Sequence, residues 1–505
     1  MRTESQLAKT RLTRRDFVKS TVLGGMSLTA QSSGAQTVAE TWSSSSVNRA
    51  MPTAALADFS ANFAGSEIPV ALRRLAHTFV TDNLATMLVG AVQPVHRDTA
   101  IGLMQAHGAG ATAAIGGAAL PLSASVFLDG VAAADFEFEH VTTNTHASST
   151  VFPAIFALAA REKCSGREFL EAMVVGYEVA TRIGAACGDA VESQRGFHNP
   201  GLNGVLASAA ACCRLLRLDA KTTASAMGLA ASNAAGLMAF QSTGAMTKRL
   251  HPGRAAQLGL ESAMLAQAGV LGPTDVLENP KGFLHAFSPQ PEPEVLTSKL
   301  GEEWRSSRMI VKLAPAHAFA QVFISALNNA RDAGLTWDPN TVEQISVASG
   351  PRPTSPSHAN TAPNSLLDAQ YSVPFSVAVA IARDLRDPLA FTDEAVQDPA
   401  VRAVAQRIAL IRDSDDPRAL GGRLTMRSGG RTLEFKADTY AGAPGTPDYS
   451  EAVRKKFDRC LQSLGLASWS GPLLSGIADI EEADDVGKLR ATLIAASATA
   501  QPKKA

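Results

Sequence analysis

Three histidines share one local setting. Thr145-His146-Ala147-Ser148-Ser149 precedes an apolar stretch that reads as a helix from near Val151. Phe197-His198-Asn199-Pro200-Gly201 precedes a second from about Leu202, and Leu250-His251-Pro252-Gly253-Arg254 an Ala-rich third from about Ala255. Each His is therefore expected at a cap or first turn, where unpaired N–H groups and a partial positive charge collect. Such ends hold carboxylates and phosphates. A lone His in this setting commonly bonds backbone in a turn; three alike, gathered at one cleft, would suit a substrate with several carboxylates.

Two further groups stand near these turns. The run Phe136-Glu137-Phe138-Glu139-His140 offers two carboxylates and an imidazole just before His146. It reads as an acid–base pair or a solvated loop ahead of a cation chelate, because no tight ligand spacing such as H-E-x-x-H occurs and no metal is expected. Lys248 lies three residues before His251, and Lys312 sits in Ile310-Val311-Lys312-Leu313-Ala314-Pro315-Ala316-His317. A lysine among apolar neighbours clamps a carboxylate or has its pKa lowered by desolvation; the bland alternative is a snorkelling surface side chain. His77, His96, His107, His285 and His358 have no constellation around them. Gly108-Ala109-Gly110-Ala111-Thr112-Ala113 lacks the feeding strand and third glycine of a dinucleotide loop, and neither a G-x-S-x-G elbow nor a Walker loop occurs.

The elements that must position these residues follow from composition and periodicity. The 505 residues are 46% apolar, 18% charged and 6% aromatic, with net charge −1, which points to a helix-rich globular protein and away from nucleic-acid or anionic-membrane partners. The five cysteines form no C-x-x-C pair and read as small core residues. Leu72, Leu75, Phe79, Asn83 and Met87 fall along one helix face, and residues 205–216 are apolar all round, as in a buried helix. Alternation at 342–347, and at Leu424, Met426, Leu433 and Phe435 around Ser428-Gly429-Gly430-Arg431, predicts strands and a hairpin. The expected fold is mainly α: a large helical domain (66–307 plus 447–490) with an inserted smaller α+β lid (308–446) whose residues 350–365 form an exposed loop. Residues 36–65 read as a linker and the chain end as a polar tail. No repeat or membrane anchor is expected.

The first 35 residues read as an address. Thr13-Arg14-Arg15-Asp16-Phe17-Val18-Lys19 fits the twin-arginine export pattern, followed by a weakly apolar run at 21–30 and a small-residue cleavage site, Ser33-Gly34-Ala35. The twin-arginine machinery as a partner and a periplasmic location are the expectations.

Several blocks resemble the MmgE/PrpD family, which includes 2-methylcitrate dehydratase, cis-aconitate decarboxylase and iminodisuccinate epimerase. They are Gly176-Tyr177-Glu178-Val179-Ala180; Gly196-Phe197-His198 with Gly201 and Gly204; Thr247 through Ala256; Val276-Leu277-Glu278 with Lys281-Gly282-Phe283; and Gln370-Tyr371-Ser372-Val373-Pro374-Phe375. The resemblance covers roughly residues 55–465. It implies a helical domain with an α+β lid, a homodimer, no cofactor, and active-site groups at His146, His198, His251, Lys248 and Lys312. The family's acidic L-D-F-D-D segment matches Phe136-Glu137-Phe138-Glu139-His140, with each acid one methylene longer. A lid tyrosine matches Phe375, without the hydroxyl, and a T-H pair matches Ala320-Gln321.

The expected chemistry is proton abstraction next to a carboxylate of a di- or tricarboxylate, with loss of water in the manner of a hydro-lyase, or of CO2. His146, His198 and Lys248 are assigned acid–base work, and Glu137 or Glu139 the orientation of a His or a substrate hydroxyl. Lys312, His251, His140 and Phe375 are expected to bind substrate. An epimerase of an amino-dicarboxylate and an exported carboxylate-binding protein without turnover are the alternatives.

Overall fold

Apolar periodicity and local start and stop signals set the helices. The computed structural model describes residues 51–142, 144–416 and 419–501. The elements used below are α1 (Pro52–Asn62), α2 (Val70–Ala91), α3 (Leu122–Ala134), α4 (Ala147–Glu162), α5 (Gly166–Cys187), α6 (Asn199–Leu215), α7 (Ala220–Ala231), α8 (Thr247–Gln267), α9 (Gln321–Asp332), α10 (Val373–Ala382), α11 (Tyr449–Ser463) and α12 (Gly487–Ala498). The strands are β1 (Val342–Ser349), β2 (Ile408–Arg412), β3 (Gly422–Ser428) and β4 (Arg431–Ala437). The fold is mainly α, as the composition predicts.

On α2, Leu72, Phe79, Asn83 and Met87 are buried and Leu75 partly so. A capping box opens α5: Ser165 N donates to Glu168 Oε2 at 2.9 Å and Ser165 Oγ accepts from Glu168 N at 3.3 Å. Every residue of α6 except Arg214 is buried, because α4, α5, α7 and α8 all pack against it. Two glycines set how closely these helices approach. A Cβ on Gly204 of α6 would lie 2.5 Å from Thr150 Cγ2 of α4, and one on Gly130 of α3 would lie 2.5 Å from Gly253 Cα of α8. The first crossing brings the N-termini of α4 and α6 together. The second sets the segment after α3 beside the start of α8.

The four strands form one sheet in the order β2-β1-β3-β4, with β1 and β2 parallel and the other pairs antiparallel. The hairpin turns where expected, with φ 56° at Gly429 and 71° at Gly430, the positive values that a tight hairpin turn needs. Pairing of Ile345 with Met426 and of Val347 with Leu424 puts apolar side chains on the covered face. All five cysteines are buried and unpaired.

Two expectations are corrected. Within the stretch read as a linker, residues 52–62 form α1, and Leu56, Ala57 and Phe59 are buried. Small residues that look like linker composition are strong helix formers when Ala dominates, and their size lets α1 lie against α7. At the other end α12 runs past residue 490, burying Leu493 and Ala496. The twin-arginine segment and residues 36–50 lie outside the described residues. Among the described residues no helix is long and apolar enough to cross a membrane.

Candidate active site

Four chain segments meet where the helices cross. His146 is the N-cap of α4 and His198 the N-cap of α6, each with extended or irregular backbone just before the first turn. The third entrance differs from the expectation. α8 starts at Thr247, so Lys248 and His251 both lie inside it and Pro252 is an internal residue. The proline had suggested a later start. Near a helix N-terminus it costs a single backbone bond, and the turn before it still forms. His251 is thus placed by the side of a helix.

The acids follow α3. Glu137 has φ 53°, an uncommon conformation for a residue with a side chain, and both carboxylates are buried. Val141 and Ile310 exchange backbone hydrogen bonds at 2.9 and 2.8 Å. In that antiparallel register Glu139 stands opposite Lys312. Lys312 Nζ reaches Glu139 Oε2 at 3.3 Å and Glu137 Oε2 at 3.2 Å, while Lys248 Nζ contacts Glu137 Oε1. Glu139 Oε1 faces His146 Nδ1 at 2.7 Å.

The line of imidazoles continues. The His146 and His198 ring centroids are 6.2 Å apart, and His198 Nδ1 faces His251 Nδ1 at 3.1 Å. Two facing Nδ1 atoms bond only if one carries a proton and the other is bare, so in the neutral pair the rings are opposite tautomers. A cavity of about 410 Å³ lies against His251, lined also by Thr247, Arg254, Asn233 and Gly236.

Electrostatics favour neutral rings at His198 and His251 and an ionised Glu139. Burial, reinforced by His146 and His251, holds His198 well below the ordinary histidine range. Burial and Lys248 bring His251 down to about 4. Burial alone would raise Glu139, but Lys312 and the hydrogen bond from His146 outweigh it and hold the carboxyl below the usual range. Lys248 is pushed well below the ordinary lysine value by burial, Lys312 and Arg249; its contact with Glu137 opposes that shift.

Seven of the nine expected site residues come together: His146, His198, His251, Lys248, Lys312, Glu137 and Glu139. Two do not. His140 alternates with the acids and so points the other way. Its ring is fully buried, with Nδ1 2.7 Å from Asp82 Oδ2 and Nε2 3.2 Å from the Tyr177 hydroxyl, which corrects the substrate-binding expectation. Phe375 is buried in α10 within the apolar core. A ring that does border the cluster is Tyr371, at the end of the short helix before α10, 4.8 Å from Lys248 Nζ and 4.7 Å from the His317 ring. Tyr371 and His317 both lay in quoted motifs without an assigned role; spacing of five from Lys312 was the available signal for His317. Gln321, where the T-H pair was expected, accepts from Leu313 N and Ala314 N and donates to Ala314 O and Ala316 O, bracing the loop after Lys312.

Comparison with known proteins finds relatives along most of the chain. The MmgE/PrpD N-terminal domain matches residues 54–296 and the MmgE/PrpD C-terminal domain residues 314–467. Cis-aconitate decarboxylase of Mus musculus is 27% identical over 388 residues, 73% of this chain and 78% of its own length. Cis-aconitate decarboxylase of Aspergillus terreus is 28% identical over 389 residues, 70% and 77% respectively. The cis-aconitate decarboxylase-like protein oryM of Aspergillus oryzae is 34% identical over 278 residues, 52% of this chain and 58% of its own. With both halves of the family matched in order along one chain, the protein belongs to the MmgE/PrpD family.

Proposed function

We propose that this protein is a lyase acting on a di- or tricarboxylate, and that it breaks a C–C bond with release of CO2. The observation that carries the proposal is the meeting of Lys248 and Lys312 with Glu137 and Glu139 beside the His146–His198–His251 line. Without a ligand the ammonium groups are neutralised by the protein's own acids. A substrate carboxylate takes up the same donors, entering from the cavity beside His251. The decarboxylase names of the relatives favour loss of CO2 over the loss of water expected from the sequence.

The reaction uses the groups as follows. The bond to the departing carboxylate breaks, and its electron pair moves into the system conjugated with a neighbouring carboxylate. Lys312 and Lys248 stabilise the charge gathering there. His146, whose Nδ1 donates to Glu139, takes up a proton at Nε2 and passes it to carbon, with Glu139 stabilising the imidazolium between the two transfers. Glu139 fixes that tautomer and the ring's orientation. His198 and His251 relay the replacement proton. No oxidant or reductant is consumed.

The test is turnover of ¹³C-labelled cis-aconitate in D2O. Labelled bicarbonate with one deuterium at carbon supports the proposal. A hydrated product without bicarbonate would show a hydro-lyase, and deuterium exchange alone an epimerase; either overturns C–C cleavage. Tight binding without any exchange would show a binding protein. Export to the periplasm through the twin-arginine segment and assembly as a homodimer are part of the same proposal.

A further inference from the structure

The acids of the site are mounted on residues 136–140, a stretch outside any helix or strand. Its side chains alternate. Glu137 and Glu139 face the lysines, whereas Phe136, Phe138 and His140 face the opposite way and are buried. On that opposite side the backbone is held at every second residue. Gln370 Nε2 donates to Phe136 O at 3.2 Å, Lys456 Nζ donates to Phe138 O at 2.5 Å, and Asp82 Oδ2 accepts from His140 N at 3.2 Å. Lys456 Nζ also donates to Asp82 Oδ1 at 2.7 Å and sits 3.7 Å above the Phe138 ring, and His140 Nδ1 meets Asp82 Oδ2 at 2.7 Å. Asp82 on α2, Lys456 on α11 and His140 are all buried, with no solvent to hold them.

We propose that Asp82, Lys456 and His140 form a positioning triad: by gripping the backbone of Phe138 and His140 they hold Glu137 at its positive φ and Glu139 against Lys312 and His146. A buried ion pair is weak support for stability by itself, since apolar residues of similar size pack as well. Its value here is placement. An error of about 1 Å at a reacting group costs roughly 10²-fold in rate. Lys456 lies in the match to the C-terminal domain and Asp82 in that to the N-terminal domain, so the triad makes the geometry of the acids depend on both.

The kinetic part of the test rests on the proposed lyase reading; the spectroscopic part does not. Lys456→Met and the paired change Asp82→Asn/Lys456→Met are compared with Arg490→Met, which breaks the equally buried Arg490–Asp129 pair away from the cluster. The paired variant leaves no unpaired buried charge and should recover much of the thermal stability lost in Lys456→Met. Its kcat on cis-aconitate should nevertheless stay about 10²-fold down with KM changed little, while Arg490→Met loses stability and keeps kcat. In ¹⁵N-histidine-labelled protein without substrate, the His146 Nδ1 resonance should move in both Lys456 variants and stay in Arg490→Met. Recovery of kcat together with stability, or an unmoved His146 resonance, overturns the triad's role. A moved resonance in a protein that turns over no carboxylate supports the triad and defeats the lyase reading.

Discussion

Glu139 and Lys312 face each other across an antiparallel bridge, two residues from the Val141–Ile310 pair, with 3.3 Å between carboxylate and ammonium. The same carboxylate's other oxygen holds His146 at 2.7 Å. One buried acid thus sets both a cation and an imidazole. Glu139→Gln keeps size and shape but loses the charge that fixes the His146 tautomer. The expected result is a fall in kcat of about 10²–10⁴-fold with a small change in KM. Steady-state kinetics on cis-aconitate reads both constants, and an unchanged kcat removes Glu139 from the mechanism.

Lys248 is expected to act at the binding step as well. Lys248→Met removes the cation from Tyr371 and leaves Lys312 alone on Glu137. A saturating tricarboxylate stabilises a protein that binds it by about 3 kcal/mol at a hundred times Kd. The thermal shift produced by cis-aconitate should therefore shrink or vanish in this variant. An equal shift in the parent and the variant would place the carboxylate elsewhere.

Much of this arrangement was legible in the sequence, for identifiable reasons. His146 and His198 sit at helix entrances because small polar residues precede long apolar runs, a pattern visible along the chain. His251 was misplaced because Pro252 mimics a helix start. His140 was misassigned because alternation in an irregular segment sends neighbours to opposite sides, and nothing local says which side faces the pocket. Lys456 and Asp82 could not be found that way: each is an ordinary charged residue on a helix, and only the fold brings them together across 374 positions. Tyr371 was hidden because it ends a short helix, 366–371, separated by Ser372 from the helix that buries Phe375.

The helix crossing is a second point of control. A Cβ on Gly253 would lie 2.4 Å from Phe127 O. Gly253→Ala must therefore push α8 away from α3, at a cost of about 1–3 kcal/mol. Because Lys248 lies on α8 and the acids follow α3, kcat should fall along with stability. Denaturant unfolding and kinetics on one preparation check both; full activity in a destabilised variant would mean that the crossing does not set the site.

The proposed address is testable without any enzyme assay. Arg14→Lys/Arg15→Lys should leave the protein in the cytoplasmic fraction, because the twin-arginine pathway reads the pair itself. Undiminished recovery from the periplasm in the paired variant would argue for another route.

Stability should depend on pH through buried neutral histidines. His96, His251 and His358 are brought down from 6.5 to about 4, in each case first by burial; Lys248 adds to the shift of His251 and Arg352 to that of His358. Between about 4 and 6.5 the unfolded chain binds protons that the folded chain refuses, so stability rises with pH across that window and falls on acidification. Above 6.5 these rings are neutral in both states and contribute no slope. His96 gives the cleanest reading, since burial alone lowers it and no charged neighbour adds to the shift. His96→Gln cannot take up a proton, and the slope of unfolding free energy should drop by up to about 1.4 kcal/mol per pH unit within the window. Urea unfolding from pH 4.5 to 7.5 measures it. Parallel curves for the parent and His96→Gln would show that the ring is protonated in the folded protein too, and that burial does not govern its charge.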